Sequence, residues 1–134
     1  MLPISPCNAA GARLALGLAL LIITGMALTP APGEIQQAIN DKLGHAAAFL
    51  LLAFLSHASW PEIKFGWRQI SALLGYGLAL EFIQYFIPNR YFSLLDIAAD
   101  LAGVGLYMLL IPLIRYLLHM YAKGAPELPS SVQK

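Results

Sequence analysis

Charged residues are scarce in this sequence of 134 residues, which has only eight Lys or Arg and seven Asp or Glu. They make up 11% of the chain and hydrophobic residues 59%, whereas an ordinary globular domain has about 25% charged and 45–50% apolar residues. This composition excludes a disordered chain and argues against a water-soluble enzyme. The net charge of +1, without any basic run, is too balanced for a protein that binds nucleic acid.

Cysteine is almost absent, and this absence narrows the possible chemistry. The single Cys7 excludes an intramolecular disulfide and any CxxC metal or redox motif. The sequence also has no HExxH motif and no Gly-rich phosphate loop. Nucleophilic catalysis has little support, because Cys7 is remote and Ser93 has no base beside it in the sequence. We therefore expect no metal and no cofactor.

Four long apolar segments dominate the chain, and each approaches the roughly 20 residues that a helix needs to span a bilayer. They comprise residues 12–28, 43–59, 67–87 and 94–118. Their apolar runs are continuous and too long for strands. We predict an all-α fold, a single integral membrane domain that forms a four-helix bundle, with residues 119–134 as a cytoplasmic tail. The first segment also resembles a cleaved signal peptide, but prolines around the possible cleavage site favour a retained helix.

The distribution of basic residues predicts the orientation of these spans. With four spans, six basic residues fall on the side of the termini and two on the other side. The six are Arg13, Lys64, Arg68, Arg115, Lys123 and Lys134, and the two are Lys42 and Arg90. The positive-inside rule therefore places both termini in the cytoplasm and residues 88–93 outside.

Polar residues from separate segments are predicted to lie at the same, outer end of the bundle. They are Asp41, His45, Glu81, Gln84, Arg90, Ser93, Asp96 and Asp100. Spacings of three or four residues put the members of each pair on one helix face. Because charges at membrane depth are costly, these groups should face the interior and find partners there. We expect an outward-facing polar pocket with Arg90 as the cation that neutralises its carboxylates.

Several of these residues also have a structural interpretation. Ser93 and Asp96 have the spacing of a capping box at the start of the fourth helix, and Asp41 suits the first turn of the second. His45 is as readily a packing residue as a ligand. Glu81 and Asp100 lie too deep for capping, which leaves a buried hydrogen bond or a functional role. His57 is expected near the inner membrane interface.

The order and spacing of these residues resemble a known family. The pattern Asp41-Lys42-x-x-His45, Glu81-x-x-Gln84 and Pro88-x-Arg90-x-x-Ser93-x-x-Asp96-x-x-x-Asp100-x-x-Gly103 is similar to that of the VanZ-like family of bacterial membrane proteins. The resemblance covers about residues 38–110. It implies a multi-pass protein of the bacterial plasma membrane, linked to the cell envelope and to resistance against teicoplanin-type glycopeptides. The family usually has Asn at the position of Asp100.

Three functional hypotheses follow from this combination. In the first, the pocket binds the polar head group of an envelope lipid or a glycopeptide. In the second, an intramembrane enzyme acts on a lipid-linked substrate, with Glu81 or Asp100 exchanging a proton with His45. In the third, the polar network only stabilises the bundle. The expected partners are the lipid bilayer, such a ligand and, for so small a bundle, a second copy of the chain.

Overall fold

A computed structural model of the chain contains four helices in the part that it describes. They are α1 (Pro6–Ala27), α2 (Ile35–Ser59), α3 (Trp67–Gln84) and α4 (Leu94–Gly124). The structure describes the backbone of residues 6–29, 35–88 and 92–124, and the side chains of 8–29, 41–88, 92–117 and 119–121. No strand occurs in these ranges, so the predicted all-α fold is confirmed for them.

Some helices extend beyond the predicted apolar runs, and α3 ends before its run does. α2 begins at Ile35 rather than near residue 43, and α4 continues to Gly124, into the segment predicted as a tail. Backbone hydrogen bonds do not require apolar side chains, so hydropathy underestimates these two helices. α3 ends earlier than predicted because the amides of Phe86 and Ile87 bond to carbonyls only three residues back. This tight turn precedes Pro88, which disfavours a helical residue before it.

Two of the described helices, α1 and α4, are long and apolar enough to cross a membrane by length and composition. α2 and α3 contain more polar residues and do not meet the same criterion. Large apolar side chains also cover the outside of the bundle; Leu14, Leu21 and Leu109, for example, are 67%, 70% and 75% exposed. Such a surface is unfavourable in water, which agrees with a lipid-facing exterior. That all four helices span a membrane stays a prediction.

α2 lies at the centre of the fold, with its main contacts to α4 and α1. The core consists of Phe49, Leu52 and Ala53 from α2, Leu73 from α3, and Val104 and Tyr107 from α4. These side chains lie between two polar regions, one at each end of α2. The apolar core therefore holds α2 and α4 in a fixed register, and this register determines which polar side chains meet.

Glycine allows α4 to lie directly against its neighbours at two positions. A Cβ on Gly103 would collide with the backbone carbonyl oxygen of Ala46, so α2 and α4 are in backbone contact at this level. A Cβ on Gly77 of α3 would lie 2.5 Å from Oδ2 of Asp100 and 3.0 Å from the ring of Phe49. Small residues at such crossings are typical of helices that pack in membranes.

Candidate functional site

The candidate site is a group of polar side chains where α2, α3 and α4 meet, which we call the polar cluster. Its members are Asp41, Lys42, His45, Glu81, Ser93, Asp96 and Asp100. Five lie in the first half of α2 and the first two turns of α4, Ser93 directly precedes α4, and Glu81 comes from the last turn of α3. The structure therefore brings together six of the site residues predicted from the sequence.

Two side-chain pairs connect α2 to α4 within the cluster. The Nδ1–H of His45 donates to Oδ1 of Asp100 at 2.9 Å, and Nζ of Lys42 donates to Oδ1 of Asp96 at 2.9 Å. The two carboxylates are buried, with Asp100 only 1% exposed. Lys42 and His45 are three residues apart on α2, and Asp96 and Asp100 are four apart on α4. Both pairs therefore form along one line of contact between the two helices.

Lys42 provides a positive charge to the cluster that was not predicted from the sequence, because its Nζ pairs with Asp96. The expected role of Arg90, as the cation that neutralises the carboxylates, stays a prediction. The Lys42 side chain is long enough to reach across to α4 from the turn beside His45. Arg90 itself lies outside the described residues.

Glu81 connects α3 to the beginning of α4. Its side chain is fully buried, and Oε2 accepts a hydrogen bond of 2.8 Å from the backbone amide of Ser93. Ser93 in turn accepts a bond from the amide of Asp96 through Oγ at 3.3 Å, as expected of a residue that caps a helix. A carboxylate at a helix N-terminus is favourable because the first amides of the helix lack partners within it.

Gln84 was also predicted as a site residue, and in the structure it bonds to α1. Its side chain is buried, and its amide nitrogen donates to the carbonyl oxygen of Ala27 at 2.9 Å. Ala27 is the last residue of α1, where a carbonyl lacks a partner within the helix. Gln84 therefore links α3 to α1.

Two buried carboxylate oxygens of the cluster have no hydrogen-bond partner among the described residues. They are Oε1 of Glu81 and Oδ2 of Asp100. A buried polar atom without a partner is costly, and such an atom in a native structure is often part of a binding or catalytic site. Both oxygens are able to hold a proton or to accept a hydrogen bond from a ligand.

Asp41, His45 and Asp96 also have the spacing of metal ligands. Each offers one ligand atom, and these atoms lie within 4.8 Å of one another. No metal is expected from the sequence, and the ammonium group of Lys42 already provides a positive charge to Asp96. In the structure, the cationic group beside this part of the cluster is the Lys42 ammonium.

A second polar region at the other end of α2 was not predicted from the sequence. His57 was expected at the membrane interface, but it is fully buried, and its Nδ1 lies 2.7 Å from the hydroxyl of Tyr107. Phe65 packs against both rings, with centroid distances of 5.6 and 5.1 Å. A signal was present in the sequence, because steps of four residues from His45 pass through the core residues Phe49 and Ala53 to His57.

The His57–Tyr107 pair predicts the effect of removing one hydroxyl. Tyr107→Phe leaves Nδ1 of His57 buried without a partner, and Nε2 already has none among the described residues. We expect a loss of about 1–3 kcal/mol in the free energy of unfolding, measured by thermal denaturation in detergent. Tyr85→Phe is the matched control because Tyr85 is 63% exposed, and it should leave stability unchanged. Equal stability of the two variants would contradict the role of this bond.

The apolar exterior and the two long apolar helices together suggest a helical membrane protein. Comparison with known protein families identifies the family. The sequence model of VanZ/LLP1 matches residues 20–115, and the chain belongs to this family. The resemblance noted in the sequence is thereby confirmed. The matched region contains the whole polar cluster and the His57–Tyr107 pair.

One curated relative is an uncharacterized protein of the fission yeast Schizosaccharomyces pombe. It is 36% identical to this chain over 72% of the chain and 60% of the relative. The chain thus spans about three fifths of the relative's length. Because this relative is from a yeast, similarity to the family does not by itself indicate a bacterial protein. No solved structure shows a significant match to the chain.

Proposed function

We propose that this protein is a multi-pass membrane protein of the cell envelope, and that its polar cluster binds a polar head group. The ligand is an envelope lipid or a glycopeptide of the teicoplanin type, and it donates hydrogen bonds to the cluster. The observation that carries this proposal is that two buried oxygens, on Glu81 and Asp100, have no hydrogen-bond partner among the described residues. They belong to different helices and lie beside the Lys42–Asp96 and His45–Asp100 pairs, so a ligand there gains hydrogen bonds that the described part of the chain does not provide.

The charge of the cluster supports a ligand with donor or cationic groups. Four carboxylates are accompanied by one lysine and one histidine among the described members of the cluster. The bond between Lys42 and Asp96 is on the partly exposed side, since the Lys42 side chain is 35% exposed. A ligand amine is therefore able to take the place of the Lys42 ammonium group without opening the core.

The proposed topology follows from the basic residues. Both termini and the His57 end of α2 are in the cytoplasm, and the polar cluster faces outward. We propose the bacterial plasma membrane on the strength of the sequence resemblance. In this arrangement the cluster is accessible to envelope lipids and to antibiotics that act outside the cell, which connects it to glycopeptide resistance.

Glu81→Gln tests the binding function because it removes one negative charge and keeps the side-chain shape. We expect affinity to fall about tenfold or more, since hydrogen bonds to charged groups contribute about 1.5–3 kcal/mol. Binding of the full-length chain in detergent to teicoplanin and to purified envelope lipids is measured by calorimetry. Thermal denaturation of the same samples separates lost binding from lost folding.

Glu62→Gln is the matched control, because Glu62 is an exposed residue between α2 and α3 at the opposite end of the bundle. It should bind as tightly as the unmodified chain. Equal affinity of the two variants, or binding of neither probe by the unmodified chain, would contradict the proposed function.

A second candidate function is acid–base catalysis on a lipid-linked substrate. It is favoured by the His45–Asp100 bond, which joins a buried carboxylate to an imidazole whose side chain is 13% exposed. This arrangement orients a histidine for proton transfer in many enzymes. A turnover assay with purified protein and envelope lipids distinguishes the two functions, since stoichiometric binding without product rejects the enzyme.

A further inference from the structure

A shallow, open groove runs along α1, and all of its lining residues belong to this helix. Its volume is about 490 Å³, and its lining is mainly apolar. Arg13 is at one end and Thr24 at the other, with Leu14, Gly17, Leu18 and Leu21 between them. The first half of the groove precedes residue 20, where the family match begins.

Gly17 keeps the middle of the groove open. A Cβ at this position would meet no other atom within 4 Å, so the absent side chain leaves space rather than avoiding a clash. A larger residue at position 17 would therefore fill the groove without disturbing the packing of α1 on α2.

Arg13 is held in place at its end of the groove. Its Nε–H donates to the carbonyl oxygen of Ser59 at 2.9 Å, and its guanidinium carbon lies 5.7 Å from the centroid of the Trp60 ring. These contacts use one of the five N–H bonds of the guanidinium group. No described residue bonds to the terminal nitrogens, which suit the oxygens of a phosphate because a guanidinium group binds it in a bidentate manner.

The length and composition of the groove match one leaflet of a bilayer. From Arg13 to Thr24 the helix rises about 16 Å, at 1.5 Å per residue, which is about half of a hydrocarbon core of roughly 30 Å. Tryptophan is typical of the membrane interface, and Trp60 lies beside Arg13. Arg13 is therefore at the head-group level when the leucines of the groove are at the level of the acyl chains.

We propose that this groove binds one anionic phospholipid, with its phosphate on Arg13 and one acyl chain along α1 beside Gly17. The positive charge at only one end of an apolar groove fits an amphiphile with an anionic head. The inference rests on the membrane insertion given under the proposed function, but it does not depend on the polar cluster. By the predicted topology the lipid belongs to the cytoplasmic leaflet, where anionic lipids attract basic residues.

Fluorescence of Trp60 provides the test. The full-length chain with Trp67→Phe, which leaves Trp60 as the only tryptophan, is reconstituted in phosphatidylcholine vesicles. Brominated phosphatidylglycerol or brominated phosphatidylcholine is then added as a quencher. One cation near the surface contributes about 1 kcal/mol to anionic lipid binding, so we expect about fivefold stronger apparent association with phosphatidylglycerol.

Three variants assign the effect to the groove. Gly17→Leu should abolish the preference, whereas Gly25→Leu, at another position of α1 with open space around it, should retain it. Arg13→Gln should leave quenching by the two lipids equal. The same quenching by both lipids in the unmodified chain, or an unchanged preference in Gly17→Leu, would overturn the proposal.

Two further measurements complete the test. The first tests membrane insertion, and the second tests whether another copy of the chain occupies the groove. In vesicle flotation, a chain that fails to float contradicts the membrane assignment, whereas a floating chain without lipid preference contradicts only the lipid site. Light scattering in detergent tests a second copy of the chain as the occupant. A dimer that Gly17→Leu dissociates would show that the groove is a protein interface, and the lipid proposal would be wrong.

Discussion

Gly103→Ala is expected to destabilise the protein by about 1–3 kcal/mol, the usual cost of overpacking a well-packed core. The added Cβ would overlap the carbonyl oxygen of Ala46 and lie 3.0 Å from the backbone nitrogen of Leu50. Both atoms belong to the backbone of α2, which cannot move aside as the end of a flexible side chain does. The helices must separate instead, and contacts along the whole α2–α4 interface weaken.

Gly105→Ala is the matched control and should have the opposite sign. A Cβ on Gly105 meets no other atom within 4 Å, so only the helix preference of alanine remains, which contributes about 0.5–1 kcal/mol in favour of folding. Each variant adds one methyl group, and the two positions are two residues apart on α4. Their thermal denaturation in one detergent gives the comparison, and equal midpoints would show that α2 and α4 are not in backbone contact at Gly103.

The helices themselves were predictable because each apolar run is long and continuous. Their ends were not, since hydropathy reports where side chains prefer lipid and not where backbone hydrogen bonding stops. α2 illustrates this, because its first turns contain polar residues such as Gln36 and Gln37 and are still helical. At the end of α3, Pro88 shows that the helix must stop, but it does not show that the amides of Phe86 and Ile87 bond to carbonyls three residues back.

Most of the polar cluster was also predictable, because spacings of three or four residues place side chains on one helix face, but Lys42 was not predicted as a member. The pairing within the cluster was not predictable. Spacing fixes neither the rotation of one helix relative to another nor their relative height, and these decide that Lys42 meets Asp96 and His45 meets Asp100. The bond from Ser93 to Glu81 depends in addition on where α3 ends. That Gln84 bonds to α1 depends on helix rotation in the same way.

His45→Phe is expected to have the largest effect on stability, a loss of about 3–5 kcal/mol, because it removes one partner of a buried ion pair. Asp100 is 1% exposed, and Oδ2 has no partner among the described residues, so the histidine provides its one side-chain hydrogen bond there. Without His45 the carboxylate is buried with nothing to balance its charge. Chemical denaturation in detergent, with helicity followed by circular dichroism, measures the loss.

A second substitution distinguishes lost charge balance from lost packing. Asp100→Leu in the His45→Phe background removes the uncompensated carboxylate, and replacing a buried pair by apolar residues of similar volume is often neutral or stabilising. The double variant should therefore recover most of the stability that His45→Phe loses. Asp100→Asn alone should cost little, because the amide oxygen still accepts the bond from His45. If the double variant were no more stable than His45→Phe, the loss would come from the poor fit of the larger phenylalanine ring, and the His45–Asp100 pair would have no electrostatic role in holding α2 against α4.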